Sequence, residues 1–456
     1  MSDAPADGSS RRSHEREIVE ALRRSEADIP QPELIRQTGL TRNTVVSLLR
    51  KLEEKNLIDT RSETRPGPEG GRPARVIRLR PDAGYALGVQ FGHRHVRVSA
   101  GNLRGYEVFF KERPVGSSKE AVINVGGDAQ TSLQAAVDLI RSAIAKNEAE
   151  GLGLEKLIAV TIGWPAPVQD PSTGDVVIDD SMRPWLGIRR PAEKLKEMLG
   201  LEVDVDFWTE NDANLAAAME LEHGVGRQHK DFLYVHWSSG IGGALVAGGR
   251  CQAGGARLAG ELGHVPLADA KPASLPCRRC GSDRCLEVLA GGAAIVRNLM
   301  GGGSTLSLRH VIAMAQEEGS KAAEAREELQ RAARLLGQAL GPIITFTNPA
   351  AIVLGGQFGR SRADTAEPSD PRIVGNPYDL IEGAFRVSLQ EYASPRALNS
   401  ILEMNSSSWR YGSVQGAVAY GTRKALEKYV NDRAGKAAKL AVPLQTASIS
   451  RSKDSA

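Results

Sequence analysis

A chain of 456 residues is too long for one ordinary core and calls for two or three compact bodies. Hydrophobic residues make up 41% and charged residues 25%, which excludes a largely disordered chain. The net charge of +3 alone demands no polyanionic partner, yet from Arg36 to Arg80 eleven Lys and Arg residues stand against five Asp and Glu. No apolar run reaches the roughly 18 residues of a membrane span, and Met1 to Arg12 is small, polar and charged, so neither membrane insertion nor secretion is expected. A cytoplasmic location is expected.

Residues 1–13 read as a flexible tail, followed over 14–80 by short helical patterns, a Gly/Pro-rich loop and a short strand at Val76–Leu79. Within this stretch a helix starting near Pro32 ends at Gly39, which tolerates the positive φ of a tight turn, and Thr41 is placed to cap a second helix. Val45, Leu48, Leu49 and Leu52 recur at i, i+3, i+4 and i+7 and give that helix one apolar stripe; Arg42, Asn43, Ser47, Arg50 and Lys51 lie off it. Such a helix fits a DNA major groove, with residues near its N-terminus at base edges and flanking cations on phosphates. A surface helical hairpin gives the same pattern. Downstream, Arg61–Arg80 runs through Gly67-Pro68-Glu69-Gly70-Gly71-Arg72-Pro73, a loop suited either to a linker or to a wing whose Arg72 enters a minor groove. Taken in succession the two segments predict a winged helix-turn-helix that binds double-stranded operator DNA through Thr41, Arg42, Asn43, Thr44, Ser47, Arg50, Lys51 and Arg72.

Pro81–Gly84 reads as a boundary turn, and beyond it Tyr85–Phe91, His95–Ala100 and Val108–Phe110 alternate as a strand meander. Helical patterns near 131–150, 189–199 and 213–223 then interleave with apolar strands at 157–163, 203–207 and 232–237, the signature of an α/β body. A second α/β unit is expected from helices near 287–300 and 320–341, a strand at Ala351–Leu354 and a last helix near 412–430. Arg360–Pro371 reads as an exposed loop and about 433–456 as a loose tail. The expected division is a tail over 1–13, a DNA-binding domain over 14–80, a first lobe over 85–210, a second lobe over 211–430 and a tail over 431–456.

Three of the four cysteines are clustered as Cys277-x2-Cys280-x4-Cys285, which suits a metal site in a reducing compartment better than a disulfide framework. With the nitrogen of His264 they make the tetrahedral donor set of a closed structural zinc site. Reduced cysteines buried in a core are the other reading, and for Cys251, outside the cluster, the better one.

Taken together and in order, Gly71-Arg72-Pro73 with Gly84-Tyr-Ala-Leu-Gly88, Glu210-Asn-Asp-Ala-Asn214, Ser239-Gly-Ile-Gly-Gly243, Glu261-Leu-Gly-His264 and the cysteine cluster resemble the ROK family of repressors, open reading frames and sugar kinases, over about residues 15–430. The resemblance is to the branch carrying an appended winged helix. It implies an actin-like, ribonuclease-H-like sugar-kinase fold of two α/β lobes with a sugar cleft between them. It also implies sugar-binding roles for Asn211, Asp212, Glu261, His264 and Glu287, with Asp212 at the kinase base position, a sugar or sugar-phosphate effector, and a homodimer or homotetramer. On their own, Asn211 and Asp212 equally suit helix capping, and Glu261 and Glu287 suit solvated surface acids. The cysteine spacing departs from the family pattern: Arg278 and Arg279 separate the first two cysteines where one residue is usual, and Arg284 stands where the family has Gly.

Kinase relatives carry an Asp-x-Gly-Gly-Thr phosphate loop, because phosphoryl transfer depends on positioned groups that neutralise charge. Here that stretch is Gln90-Phe91-Gly92-His93-Arg94, with Gln90 for the Asp, His93 for the second Gly and Arg94 for the Thr. The expectation is a sugar-responsive regulator of carbohydrate genes without catalysis, with an active sugar kinase that also binds DNA as the alternative.

Overall fold

The computed structural model describes residues 7–25, 27–62, 75–92, 95–105, 107–115, 129–177, 188–301, 304, 306–359, 376–407, 409 and 411–431. Arg72, His93, Arg94, the expected loop at Arg360–Pro371 and the expected tail at 433–456 lie outside these residues.

The head consists of α1 (Asp7–Arg24), α2 (Gln31–Thr38) and α3 (Arg42–Glu54), with β1 (Ile29–Pro30), β2 (Ile58–Ser62) and β3 (Arg75–Leu79) in a small sheet of order β1-β3-β2. Antiparallel pairing from Ile58↔Leu79 to Ser62↔Arg75 forms the stem of the wing. Helix α1 begins at Asp7, well inside the stretch expected as a tail. Polar composition suggested a loose segment, but residues 7–13 contain no proline and continue a helix anchored by buried Ile18, Val19 and Leu22.

The body holds two five-stranded sheets of one design. In the first, β4 (Tyr85–Phe91), β5 (His95–Asn102) and β6 (Glu107–Pro114) form an antiparallel meander, and β7 (Leu157–Trp164) and β10 (Asp206–Asn211) add in parallel on the β4 side, giving the order β10-β7-β4-β5-β6. A small ribbon of β8 (Val168–Asp170) and β9 (Asp175–Val176) lies between β7 and β10 in the chain. The second sheet repeats the plan: β11 (Phe232–Trp237), β12 (Ile241–Ala247) and β13 (Arg250–Cys251) are antiparallel, and β14 (Ala351–Gly356) and β15 (Glu403–Ser406) add in parallel beside β11. Two such sheets are the ribonuclease-H-like halves of an actin-like sugar-kinase fold, preceded here by a winged helix-turn-helix.

Around the sheets run α4 (Ala129–Ala149), α5 (Pro191–Leu199), α6 (Asp212–His223), α7 (Leu286–Ala290), α8 (Gly292–Met300), α9 (Leu308–Ala315), α10 (Ser320–Thr347), α11 (Glu382–Tyr392), α12 (Pro395–Asn399) and α13 (Gly412–Asn431). Two expected elements differ. The strand near 203–207 is realised as β10, because pairing with Ala159–Trp164 of β7 sets its limits and a lone sequence does not reveal that partner. The single helix near 287–300 is broken at extended Gly291, where the backbone N–H groups of Gly292 and Ala293 donate to the carbonyls of Ser238 and Ser239.

Helix α13 changes the expected division of the body. It was placed with the second lobe, yet it packs against α6 and against β4 and β7 of the first sheet. Gly88 and Gly416 permit this: a Cβ at Gly88 would lie 2.2 Å from the Val414 carbonyl, and one at Gly416 1.8 Å from that of Leu215. The last turns of α13 go further and place Leu426, Tyr429 and Val430 in the hydrophobic core of the head, beside Ile18, Leu22 and Leu52. No helix among the described residues is long and apolar enough to cross a membrane.

Truncating Leu426 to Ala, 2% exposed, should cost about 2–5 kcal/mol. Hydrogen exchange should then show α1–α3 losing protection while the central strand β4 keeps it; unchanged protection of the head would contradict the shared core.

Candidate functional site

The DNA-reading face is built by the turn between α2 and α3. Gly39 closes α2 at φ +66°, and Thr41 caps α3 by accepting from the Thr44 N–H at 3.3 Å. Val45, Leu48, Leu49 and Leu52 are buried in the head core, leaving Arg42, Asn43, Ser47 and Arg50 exposed on the opposite side and Thr44 and Lys51 at its flanks. One residue of this face went unnoticed in the sequence: Val46, 44% exposed, joins Arg42, Asn43, Ser47 and Arg50 around a shallow concavity. Its signal was an apolar residue one step off the stripe, suited to contact a thymine methyl.

The structure gathers the four sulfur and nitrogen candidates. Their donor atoms in His264, Cys277, Cys280 and Cys285 all lie within 4.8 Å of one another, a set able to hold a metal ion. Cys277 and Cys285 are buried, and His264 Nδ1 stands 3.7 Å from Cys277 Sγ. Hydrogen bonds from Cys285 and His264 hold the Cys277 thiol far below its ordinary range, the direction required of a thiolate ligand. The other ring nitrogen, Nε2, faces Glu261 Oε2 at 3.7 Å, so His264 joins the cysteine cluster to that carboxylate.

Residues of the two lobes meet beside this cluster, where Arg279 reaches Pro165 O. On the first-lobe side, β7 ends at Trp164 and β10 ends at Asn211, immediately before α6. Asn211 is chiefly a cap: its Oδ1 accepts from the Ala213 and Asn214 N–H groups at 2.9 and 3.2 Å, and its Nδ2 donates to Ala166 O at 3.2 Å. The capping alternative open in the sequence is therefore realised for its carbonyl oxygen. Asp212 occupies the first turn of α6, where the helix dipole favours a carboxylate, and has no hydrogen-bond or ion-pair partner among the described residues. From the second lobe, Glu287 accepts the Ile241 N–H at 2.7 Å, and burial pushes its carboxyl up. Gly240 makes room for it, since a Cβ there would lie 2.5 Å from Glu287 Oε1.

Sequence reasoning missed three further residues of this region. His236 of β11 keeps a buried Nδ1 without a hydrogen-bond partner; burial lowers its pKa while the Asp212 carboxylate opposes the shift. Arg257, held at φ +57°, reaches across to Glu210 Oε2 at 2.9 Å and Val168 O at 2.8 Å. Arg279 reaches Glu261 Oε2 and Pro165 O, each at 3.4 Å. None has a motif of its own; the strained backbone of Arg257 is visible only in three dimensions. Gln90 is buried and its Oε1 accepts from Arg97 at 3.2 Å.

Head and body are fastened by charge as well as by α13. Arg23 of α1 donates to Glu222 of α6, both side chains 2% exposed, and also to Glu20 at 2.9 Å. Lys55 bonds Glu15 at 2.7 Å and lies 5.1 Å over the Tyr429 ring of α13.

A ROK family match spans residues 119–365, more than half of the chain, and a winged helix-turn-helix DNA-binding match spans residues 11–59. The chain belongs to the ROK family. Among curated relatives, the ROK chain is 24% identical over 382 residues to the xylose repressor of Bacillus spizizenii, covering 82% of this chain and 91% of that one. It is 31% identical to the glucokinase of Halalkalibacterium halodurans, over 44% of this chain and 67% of the enzyme. Among solved structures, a ROK family transcriptional regulator described as a homolog of the E. coli MLC protein superposes with TM-score 0.67 at 17% identity, covering 92% of this chain and 99% of that one. A ROK family glucokinase from Streptomyces griseus in complex with glucose and AMPPNP gives 0.53 at 21%, covering 74% and 99%. At these identities the superpositions speak to fold.

Replacing Glu222 by Ala leaves Arg23 buried with Glu20 alone and should cost about 3 kcal/mol. A Glu222→Leu, Arg23→Met pair, removing both charges, should recover part of it. Urea unfolding of the two variants beside the parent measures this, and a Glu222→Ala chain as stable as the parent would remove the ion pair from the head–body joint.

Proposed function

We propose that this chain is a sugar-responsive, DNA-binding transcriptional repressor of carbohydrate transport or catabolism genes, acting in the cytoplasm without kinase catalysis. The observation that carries this reading is the open face of α3, with Arg42, Asn43, Val46, Ser47 and Arg50 turned to solvent on a head joined to a sugar-kinase body. Arg42 and Asn43 read base edges, Thr41, Thr44, Ser47, Arg50 and Lys51 position the helix on phosphates, and Arg72 of the wing enters the minor groove. Two copies at least are needed to cover a palindromic site whose half-sites stand about 34 Å apart. The repressor relatives and the whole-length likeness to a ROK regulator support this reading over an enzyme.

The effector is a small sugar or sugar derivative held between the lobes by Asp212, Glu261, His264 and Glu287, with Asn211 supporting the site through its cap and Nδ2. Fixed acceptors suit a polyol, since leaving them unpaired is costly. Ligand at the N-terminus of α6 alters the closure of the lobes, and the far end of the same helix carries Glu222 to Arg23 of the head. A Zn2+ ion held by His264, Cys277, Cys280 and Cys285 would fix the loop that borders the cleft; the soft, closed donor set fits a structural rather than a catalytic ion.

An active kinase is the competing reading, favoured by relatives named glucokinase. Against it stand Gln90, whose amide oxygen is taken up by Arg97, and the His93 and Arg94 substitutions in the same loop. Phosphoryl transfer lacks its acidic metal-handling group there.

Genome-wide mapping of bound DNA should place the chain near sugar transport or catabolic genes, and Arg42→Ala or Asn43→Ala should weaken operator binding about 5- to 100-fold. Sugar-dependent ADP release at ordinary kinase rates in a coupled assay would instead establish the kinase. Metal analysis of the purified chain should find about one zinc per chain, lost in Cys285→Ala; zinc-free protein with native stability would count against the structural ion.

A further inference from the structure

Between β13 and the turn that carries Glu261 and His264, residues 254–260 form a loop bounded by two glycines in the left-handed region, Gly254 at φ +75° and Gly260 at φ +93°. Its far end is fixed, because a Cβ at Gly260 would lie 2.2 Å from the Gly243 carbonyl oxygen of β12. Between the glycines Arg257 holds φ +57°, a conformation that a residue with a Cβ adopts only against a steric cost. The loop's own backbone does not call for arginine there: the Arg257 N–H donates to the Gly254 carbonyl at 3.2 Å, as a glycine would. What the arginine adds is reach. Its Nε donates to Val168 O at 2.8 Å and its Nη2 to Glu210 Oε2 at 2.9 Å, both on the first lobe.

The carboxylate that receives it stands at the joint between the lobes. Glu210 is the penultimate residue of β10, and its Oε1 accepts from the Asn211 N–H at 2.9 Å and from Asn214 Nδ2 at 3.0 Å, so it braces the first turn of α6, which carries Asp212. Val168 opens β8, in the ribbon that follows β7. One guanidinium from the second lobe thus ties two separate segments of the first, and the loop that bears it runs directly into Glu261. The Arg257 side chain is 28% exposed against 8% for Glu210, so water reaches the guanidinium and competes for it. Letting go would also relieve the backbone at residue 257.

We propose that Arg257 is a releasable latch between the lobes, closed onto Glu210 and Val168 in this structure and open when its loop relaxes out of the left-handed conformation. Closed, it fixes the spacing between the first turn of α6 and the Glu261–His264 turn; open, it lets the two turns move apart. Bonds on one side and backbone strain on the other bring the two states near balance, the condition under which a small perturbation shifts populations. Asp212 and Glu261, the residues at its two ends, are those assigned above to an effector. The latch itself is a property of the chain without ligand, so it stands or falls separately from the sugar-sensing reading.

Spin labels on unnatural side chains in place of exposed Glu197 of the first lobe and exposed Lys321 of the second leave the cysteine cluster untouched, and dipolar spectroscopy on the full-length, zinc-replete chain without ligand reads the distance between them. The parent should give one dominant distance. Arg257→Met should add a second population, and so should Glu210→Gln, which keeps an oxygen for the Asn211 and Asn214 donors; Arg257→Lys, which retains the charge, should return toward the parent. Hydrogen exchange over residues 206–216 should speed about 10-fold in Arg257→Met, the order expected for one lost hydrogen bond to a charged group, with β12 unchanged. Arg257→Gly, which removes latch and strain together, should shift the distances as Arg257→Met does and unfold at no lower urea concentration than that variant. Parent-like distances in both Arg257→Met and Glu210→Gln overturn the proposal. Faster exchange spread across both sheets does so as well, since it would make the pair a plain structural brace, and an Arg257→Gly chain less stable than Arg257→Met would remove the strain on which release depends.

Discussion

One helix carries the geometry on which the rest of the molecule depends. Helix α6 has 12 residues and is therefore about 18 Å long. Its N-terminus is pinned by the Asn211 cap below the inter-lobe cleft, and its last turn places Glu222 against Arg23 of the head. Burying two charges costs desolvation that their attraction barely repays, so the pair adds little net stability. What it adds is placement: with Arg23 fully enclosed, the head cannot slide on the body without stranding a guanidinium. A helix is stiff along its axis, so a shift at the Asp212 end is felt at the Glu222 end. Arg423 of α13 stands 3.9 Å from the same carboxylate, so the helix that completes the head core meets the same joint.

Much of this was legible in the sequence, because the legible parts are local. The cap at Thr41, the stripe from Val45 to Leu52 and the turn at Gly39 are set by residues a few positions apart, and the structure forms them as the spacing suggests. The cysteine cluster was readable because three thiols within nine positions are rarely accidental, and His264 joins it through the short turn that follows Glu261. What stayed hidden is non-local. Nothing near Arg23 announces that its partner is Glu222, and nothing near Arg257 or Arg279 says which carbonyls of the opposite lobe they reach. Asn211 was legible as a candidate cap, but nothing beside it says that its Nδ2 donates to Ala166 O, 45 positions away. For α13, the apolar periodicity predicted a helix without naming the surface it would cover.

The ROK body shares the fold of a solved ROK glucokinase. Gln90 lies within the first sheet and accepts from Arg97, which also pairs with Glu112 at 2.7 Å and stacks 5.0 Å over Tyr411. An amide held in such a network preserves the packing of a strand end without supplying negative charge for a metal.

The shared core of head and α13 also orders events in time. The residues of α1 to α3 are synthesised before those of either five-stranded sheet, yet Leu426, Tyr429 and Val430, which complete their apolar core, are synthesised after both. The DNA-reading head is thereby finished last, by an element that must first lie across β4 and β7. A chain interrupted before α13 would carry α3 without the last apolar residues of its core. Completion of the head is in this sense built into the order of the elements.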